Sequence, residues 1–578
     1  MSICSSSFVP QMPPLPEYPR PQLQRAAWQN LNGLWDYAIT DSDVPPTTWH
    51  GKILVPFAVE SALSGVQKSV LPGQKLWYHR TFSVHNFDIK KQTVLQFGAV
   101  DYACKIFING KKAGAHSGGY TPFSINLSAY ILENDNELLL CVTDHTDHGH
   151  RPRGKQSLCP KGIWYTAVTG IWQTVWLEQI SENHMHALRI TPCLTGITCE
   201  PICAGVGNVI LEIFDGEDIV YAATLMANSE EIITFETPKL WTPETPFLYR
   251  VVATMTHAGR MTDRVESYFG LRTFSLETDR DGIARICLNG APYFQKGLLD
   301  QGYWPDGLYT APTDKALCSD ILFAKKLGFN LLRKHIKVEP ARWYYHCDRL
   351  GMLVWQDMPS TTYPGGFLAA VLPNLGATHV ADQDHQRFHC ESETARSAFI
   401  AELRSMMDAL YFVTSLCVWV PFNEGWGQFD ALRIAGLVRS IDTTRLVDHA
   451  SGWHDQGGGD LHSIHKYILP IPAQKPEQNR AFVVSEYGGY SFPLSNHLWS
   501  EHQNFGYRMY HSKAALTKAF VQLHQKQVLP LLKRGLCATV YTQLSDVEGE
   551  VNGLLTYDRK VCKIDIAAVQ EINRLLTL

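Results

Sequence analysis

Two apolar, strand-like runs stop abruptly at a glutamate: Val418-Trp-Val-Pro-Phe-Asn423-Glu424-Gly-Trp and Ala481-Phe-Val-Val-Ser-Glu486-Tyr487-Gly. Two carboxylates brought to one place by two strand ends are suited to splitting a glycosidic bond. One donates a proton to the departing oxygen, and the other attacks or stabilises the sugar carbon. Each glutamate also has an ordinary reading. Glu424 could cap a helix after a strand–helix loop, and Ser-Glu486-Tyr-Gly by itself could be a surface loop.

The flanking elements must decide. Residues 1–180 read as short strands, with Pro/Gly-rich turns and little helical periodicity. Asn109-Gly110, between two alternating runs, predicts a tight primed hairpin turn. Residues 181–275 hold further short strands, such as those starting at Asn208 and Leu248, whose length suits a small second sandwich. From 276 to 578 strand and helix patterns alternate. Strand-like runs begin at Tyr293, Asn330, Met352, Leu416, Leu446, Leu461, Ala481 and Cys537. About eight such strands fit a (β/α)8 barrel, where chemistry sits at the strand ends. Glu424 and Glu486 then end the fourth and seventh strands. An open doubly wound sheet is the rival, but no Gly-rich phosphate loop follows the first strand.

Composition agrees with a multidomain globular protein. The chain has 578 residues, 45% hydrophobic and 19% charged, so two to four domains are expected. A formal net charge of −5 gives no reason to expect a nucleic acid or an anionic membrane as partner. The 15 Trp and 24 Tyr suit ligands with sugar rings. No signal peptide is visible at the N-terminus, and the apolar run 409–422 is shorter than a membrane span, so a soluble, cytoplasmic protein is expected. The 14 Cys are scattered without zinc spacing, as expected for reduced thiols. Asp144-His-Thr-Asp147-His148-Gly-His150 resembles a metal cluster at first sight. Neighbouring ligands are not converging ones, however, and with Arg151-Pro-Arg153-Gly-Lys155 the run fits a loop leaning over the barrel mouth. No metal and no cofactor are expected.

In order and spacing, these residues resemble glycoside hydrolase family 2, which contains β-galactosidases, β-glucuronidases and β-mannosidases. Leu31-Asn-Gly-Leu-Trp35, Pro56-Phe57, Trp77-Tyr-His-Arg80, Asn109-Gly110 and Gly170-Ile-Trp172 are similar to that family's sugar-binding jelly roll. The run 240–249 and Phe269-Gly-Leu-Arg272 are similar to its immunoglobulin-like domain. Leu331-Leu-Arg333, Cys347-Asp-Arg-Leu-Gly-Met-Leu-Val-Trp355 and Asn423-Glu424 are similar to its barrel. The resemblance implies an N-terminal β jelly roll over 1–180, an immunoglobulin-like β-sandwich over 181–275 and a catalytic TIM barrel over 276–578. It implies retention of configuration, with Glu424 as acid/base and Glu486 as nucleophile. Asn423 would bind the sugar 2-hydroxyl, Arg333 would orient the nucleophile and His335 would line the pocket floor.

The departures bear on the sugar. The family's Asn-Arg-His or Asn-Lys-His is replaced by Gly297-Leu-Leu-Asp300-Gln-Gly-Tyr-Trp304. Asp300 and Trp304 therefore become candidate sugar contacts, with a packed loop anchor as the alternative for Trp304. His465 and Tyr467 end another strand, and Tyr467 is a candidate partner for Glu486. Trp426 and Gln543 complete the candidate binding set, while His462 reads as a satisfied core histidine. The magnesium motif expected after Trp355-Gln-Asp357 is absent, and Asn552-Gly-Leu-Leu lacks the lysine that clamps a uronic acid. The expectation is an exo-acting retaining β-glycosidase, β-galactosidase-like, with a glycoside or oligosaccharide as partner and the chain a possible homo-oligomer. A β-mannosidase or an arabinosidase is the alternative, with glucuronidase below them. A non-catalytic carbohydrate-binding protein is the alternative of a different class, and the presence of both glutamates argues against it.

Overall fold

Period-two burial along the first strands divides them between two antiparallel sheets. The computed structural model describes residues 13–149, 151–362 and 380–578. One sheet orders Trp28–Asn30, Val175–Ile180, Gln92–Phe97 and Phe123–Asn126. The other orders Gly51–Val55, Gly33–Thr40, Lys75–Phe82, Asn136–Thr143, Ala103–Ile108 and Lys111–Ser117. Their inward residues, among them Trp35, Leu76, Leu95, Ile106 and Leu177, form one core, that of a jelly roll. Asn109 and Gly110 make the expected hairpin turn, both at positive φ (50° and 75°). A second sandwich follows. His184–Pro192, Gly196–Ala204 and Glu231–Thr234 face a sheet of Asp218–Met226, Asn208–Asp215, Tyr249–His257 and Arg260–Phe269. Met185, Val209, Val251 and Val265 lie between the two sheets.

The last unit is the barrel. Its strands are β1 (Gln295–Asp300), β2 (Leu331–Lys334), β3 (Leu353–Asp357), β4 (Leu416–Val420), β5 (Leu446–Val447), β6 (Leu461–Lys466), β7 (Ala481–Gly488) and β8 (Leu536–Thr542). They pair in parallel in the spatial order 5-4-3-2-1-8-7-6. Only the β5–β6 seam lacks ladder hydrogen bonds among the described residues. Leu299, Leu331, Trp355, Val418, Val483 and Val540 fill the interior, while Phe274, Ile286 and Leu288 plug its lower end. Helices Asp314–Lys326, Ala341–Leu350, Glu393–Leu410, Ala431–Ile441, Lys513–Leu523 and Ile566–Leu575 lie around it. Thr313, Ser392, Ser512 and Asp565 each cap one of these helices by accepting a backbone N–H. No helix among the described residues is long and apolar enough to cross a membrane.

A jelly-roll loop reaches the upper end of the barrel. The backbone N–H groups of Arg153 and Gly154 both donate to Ser360 O (3.0 and 3.2 Å). Gly154 has φ +65°, and a Cβ there would lie 2.8 Å from both Ile336 O and the Tyr309 hydroxyl. Only glycine accepts that approach. We predict that Gly154→Ala lowers stability by about 1–3 kcal/mol, from forced positive φ plus overpacking, as read by calorimetry. Unchanged stability would show that the loop lies elsewhere.

Candidate active site

Glu486 enters the barrel through an irregularity in the β6–β7 ladder. Ile464 pairs with Val484 and His465 with Glu486, so Ser485 has no partner in that register. The β7–β8 ladder slips at the same place, between Val484 and Tyr487. Strict alternation would send residues 485 and 486 to opposite faces. The bulge lets both point inward. Ser485 accordingly shares hydrogen bonds with the Ser451 and Ser463 hydroxyls, and Glu486 faces the pocket.

Glu424 arrives differently. Its backbone leaves β4 through Pro421, donates to Ser451 O (3.0 Å) and adopts φ +51°, a region a non-glycine residue seldom occupies. His465 joins the two glutamates. One carboxylate oxygen of Glu424, one ring nitrogen of His465 and one carboxylate oxygen of Glu486 all lie within 4.8 Å of one another. An oxygen-to-oxygen approach this close suits a pair in direct attack, whose carboxyl groups lie about 5–5.5 Å apart.

Arg333, wholly buried at the end of β2, organises the floor. Its Nε donates to Asp357 Oδ1 (2.9 Å) and its Nη2 to Asn423 Oδ1 (2.8 Å). Its Nη1 reaches Ser485 O (3.1 Å) and Glu486 Oε1 (3.2 Å). Burial opposes its charge, but Asp357 and Glu486 more than compensate and hold it cationic. Asp357 also takes His335 Nδ1 at 2.9 Å. Tyr467 donates to Glu486 Oε2, and Tyr507 stacks on Tyr467 with centroids 4.0 Å apart.

The two glutamates therefore differ in surroundings. Glu486 is held by a guanidinium and a phenol. Glu424 Oε1 meets His465 Nδ1 at 2.8 Å, and burial pushes the Glu424 carboxyl up to about 7, against the opposing charges of Lys155 and Arg333. Burial likewise holds His465 down to about 4, so its ring is neutral. At its Nε2, Arg333 Nη1 (3.4 Å) and Ser451 Oγ (3.3 Å) can donate, and Glu486 Oε1 stands farther off at 3.6 Å. The ring proton is thus on Nδ1, directed at Glu424.

Nine of the eleven predicted residues meet around this point: Glu424, Glu486, Asn423, Arg333, His335, His465, Tyr467, Trp426 and Gln543. Three of them carry buried polar atoms with no protein partner, namely Asn423 Nδ2, Trp426 Nε1 and Gln543 Oε1. Unmet donors and acceptors beside two carboxylates are what a polyhydroxylated ligand would satisfy. Asp300 and Trp304 are corrections. Asp300 follows inward-facing Leu299 and so points out of the barrel, where its oxygens take Lys334 Nζ (2.6 Å) and Gly302 N (3.0 Å). Trp304 is a packed anchor, 6% exposed, with the Arg559 guanidinium 4.3 Å from its ring centroid. His462 pairs with Glu477 (2.7 Å) and is only half-buried, not core. His150 and residues 363–379 lie outside the described residues. Within the remaining cluster, Asp144 and Asp147 bond to their own loop through Thr146 and Ser157.

The sequence reading did not assign Asp357, Lys155, Tyr165, Tyr507 or Glu550 to the site. Asp357 carried a weak signal, as a carboxylate ending a barrel strand beside Arg333. The others come from three separate loops, and no local pattern joins them. Among the described residues, two groups of side chains have a spacing compatible with a metal ion. Asp314, near Cys318 and His346, is already clamped by the Arg342 guanidinium (2.5 and 2.9 Å). At Glu424, His465 and Glu486, the Arg333 guanidinium occupies the position of a counter-cation.

Two family profiles match this chain. "Glycosyl hydrolases family 2, sugar binding domain" covers residues 53–178, and "Glycosyl hydrolases family 2" covers 211–272. A β-galactosidase of Thermoanaerobacter pseudethanolicus is 25% identical over 442 residues, covering 73% of this chain and 55% of the relative. A putative β-glucuronidase of Formosa agariphila is 26% identical over 297 residues, covering 49% of this chain and 35% of the relative. The chain spans about half the length of these curated relatives, or less. The Bifidobacterium dentium β-glucuronidase complexed with coumarin-3-O-glucuronide has the same fold, with a TM-score of 0.74 at 16% identity over 96% of this chain and 98% of that one.

Glu424 should titrate near pH 7 by carboxyl NMR, in a resonance absent from Glu424→Gln. Lys155→Met removes a cation that favours the ionised form, so it should move that titration upward. A midpoint near pH 4.5 in both proteins would refute the burial argument.

Proposed function

This chain belongs to glycoside hydrolase family 2, and on that premise we propose that it is an exo-acting, retaining β-glycosidase removing a terminal sugar by double displacement. The observation that carries the reading is the unlike carboxylate pair. Glu424 and Glu486 have carboxylate oxygens within 4.8 Å, the first with its pKa raised by burial and the second held by Arg333 and Tyr467.

Glu486 attacks the anomeric carbon as the bond to the leaving oxygen breaks, and that oxygen takes the proton of Glu424. His465 Nδ1–H occupies Glu424 Oε1, which leaves Oε2 to carry the proton. The product of this step is a glycosyl ester on Glu486. Glu424, now ionised, removes a proton from water, which attacks the same carbon and frees Glu486. Asn423 Nδ2 is directed by the Arg333 contact to Asn423 Oδ1 and donates to the sugar 2-hydroxyl. An uncharged, β-galactoside-like terminal sugar is the favoured substrate.

The acid must be protonated in the first step, and its pKa is raised. Activity, as kcat/KM, is therefore expected to fall as pH rises through about 7. Glu486→Gln should lower kcat/KM by about 10⁴-fold or more. Glu424→Ala should spare activated aryl glycosides and be partly rescued by azide. Near-normal turnover by Glu486→Gln would remove it as nucleophile. No turnover of any chromogenic glycoside by the intact protein would favour a binding protein.

A further inference from the structure

The pocket holds two charged side chains that double displacement does not use, one from the jelly roll and one from the barrel. Lys155 is 5% exposed, yet no carboxylate or hydrogen-bond partner for its ammonium is present among the described residues. The ammonium lies over two rings instead, 5.7 Å from the Trp426 centroid and 5.6 Å from that of Tyr165. Glu550 is 2% exposed and has no cationic partner among the described residues. Its Oε1 accepts from Asn552 Nδ2 (2.8 Å) and its Oε2 from the Tyr165 hydroxyl. Tyr165 thus links the two, with Lys155 over its ring face and Glu550 on its hydroxyl. Asn552 Oδ1 in turn takes Gln543 Nε2 (2.8 Å), which leaves the unpartnered Gln543 Oε1 beside them.

We infer that Lys155 and Glu550 form a donor–acceptor clamp on the hydroxyls of the terminal sugar, making the site selective for uncharged glycosides over uronides. This rests on the glycosidase reading above. An ammonium only donates and a carboxylate only accepts, whereas a sugar hydroxyl does both, so one hydroxylated ring can satisfy the two charges together. An ionised carboxylate on the sugar would instead face Glu550, Glu486 and Gln543 Oε1, all acceptors. Arg333 is already engaged by Asp357, Asn423, Ser485 and Glu486, so Lys155 alone would be left to balance it. A buried carboxylate that faces three acceptors, with one ammonium to balance it, is under-partnered and therefore costly.

The test measures kcat/KM of the full chain and of Lys155→Met, Lys155→Arg and Glu550→Gln on nitrophenyl β-galactoside, α-L-arabinopyranoside, β-mannoside, β-glucuronide and β-galacturonide. Melting temperatures confirm that each variant folds. The expected result is a neutral glycoside preferred at least about 100-fold over every uronide. Lys155→Met and Glu550→Gln should each lose about ten- to hundredfold, mostly in KM, with partial recovery in Lys155→Arg. A uronide preferred by the wild type, or variants within threefold of it, would overturn the clamp while the glycosidase reading stands. If no glycoside is turned over, that reading fails. Trp426 fluorescence titrated with galactose and galacturonate then decides the clamp alone. Selective galactose binding lost in Lys155→Met supports it, and equal binding of both sugars by both proteins overturns it.

Discussion

A single guanidinium, wholly enclosed at the upper end of the barrel, ties the site together. Arg333 comes from β2, Asp357 from β3, Asn423 from the loop after β4, and Ser485 and Glu486 from β7, so its four hydrogen bonds to them register four of the eight strands against one another. A buried cation is tolerable only when its partners replace the lost hydration. Every element that supplies one is thereby fixed to within hydrogen-bond tolerance. The same bonds orient the proposed nucleophile and the amide beside the proposed acid, so packing and positioning are one arrangement.

Around this centre, the two carboxylates acquire different properties from small differences in environment. Glu486 has direct contact with a guanidinium and a phenol. Glu424 has a neutral imidazole and little water, and desolvation dominates its titration. The proposed division of labour follows from which residues surround each carboxylate, since their covalent chemistry is identical. Backbone irregularity makes both surroundings possible. The bulge at Ser485 turns two consecutive side chains inward, and the left-handed conformation at Glu424 lets a residue just past a strand face the axis.

The jelly roll is part of this architecture rather than an appendage. Gly154 lets its loop lie against Ile336 and Tyr309, and Lys155 and Tyr165 follow over Trp426 and Glu550. Matches to family profiles fall on the jelly roll and on the segment 211–272, whereas the charged groups of the site come mostly from the barrel. The profile matches and most of the site's charged groups are accordingly carried by different parts of the chain.

Much was legible in the sequence because it depends on local pattern. Period-two runs marked the sandwiches, alternation of strands and helices marked the barrel, and the abrupt ends of two apolar runs marked Glu424 and Glu486. His465 and Tyr467 followed from their places at a strand end, and Arg333 and His335 from the family resemblance. Tertiary structure alone decided the rest. Asp300 shares its strand end with inward-facing Leu299, and alternation sends it outward to Lys334, which residue type could not reveal. Trp304 is covered by Arg559, 255 residues later in the chain, so its burial was invisible locally. The absence of a lysine after Asn552 could be read directly. The loop carrying Lys155 was expected over the barrel mouth, but that its ammonium lies over Trp426 and Tyr165 could not be read, because side-chain placement depends on two domains meeting. One-dimensional pattern determines which elements form and which residues end them. Convergence of side chains far apart in the chain is set only when those elements pack.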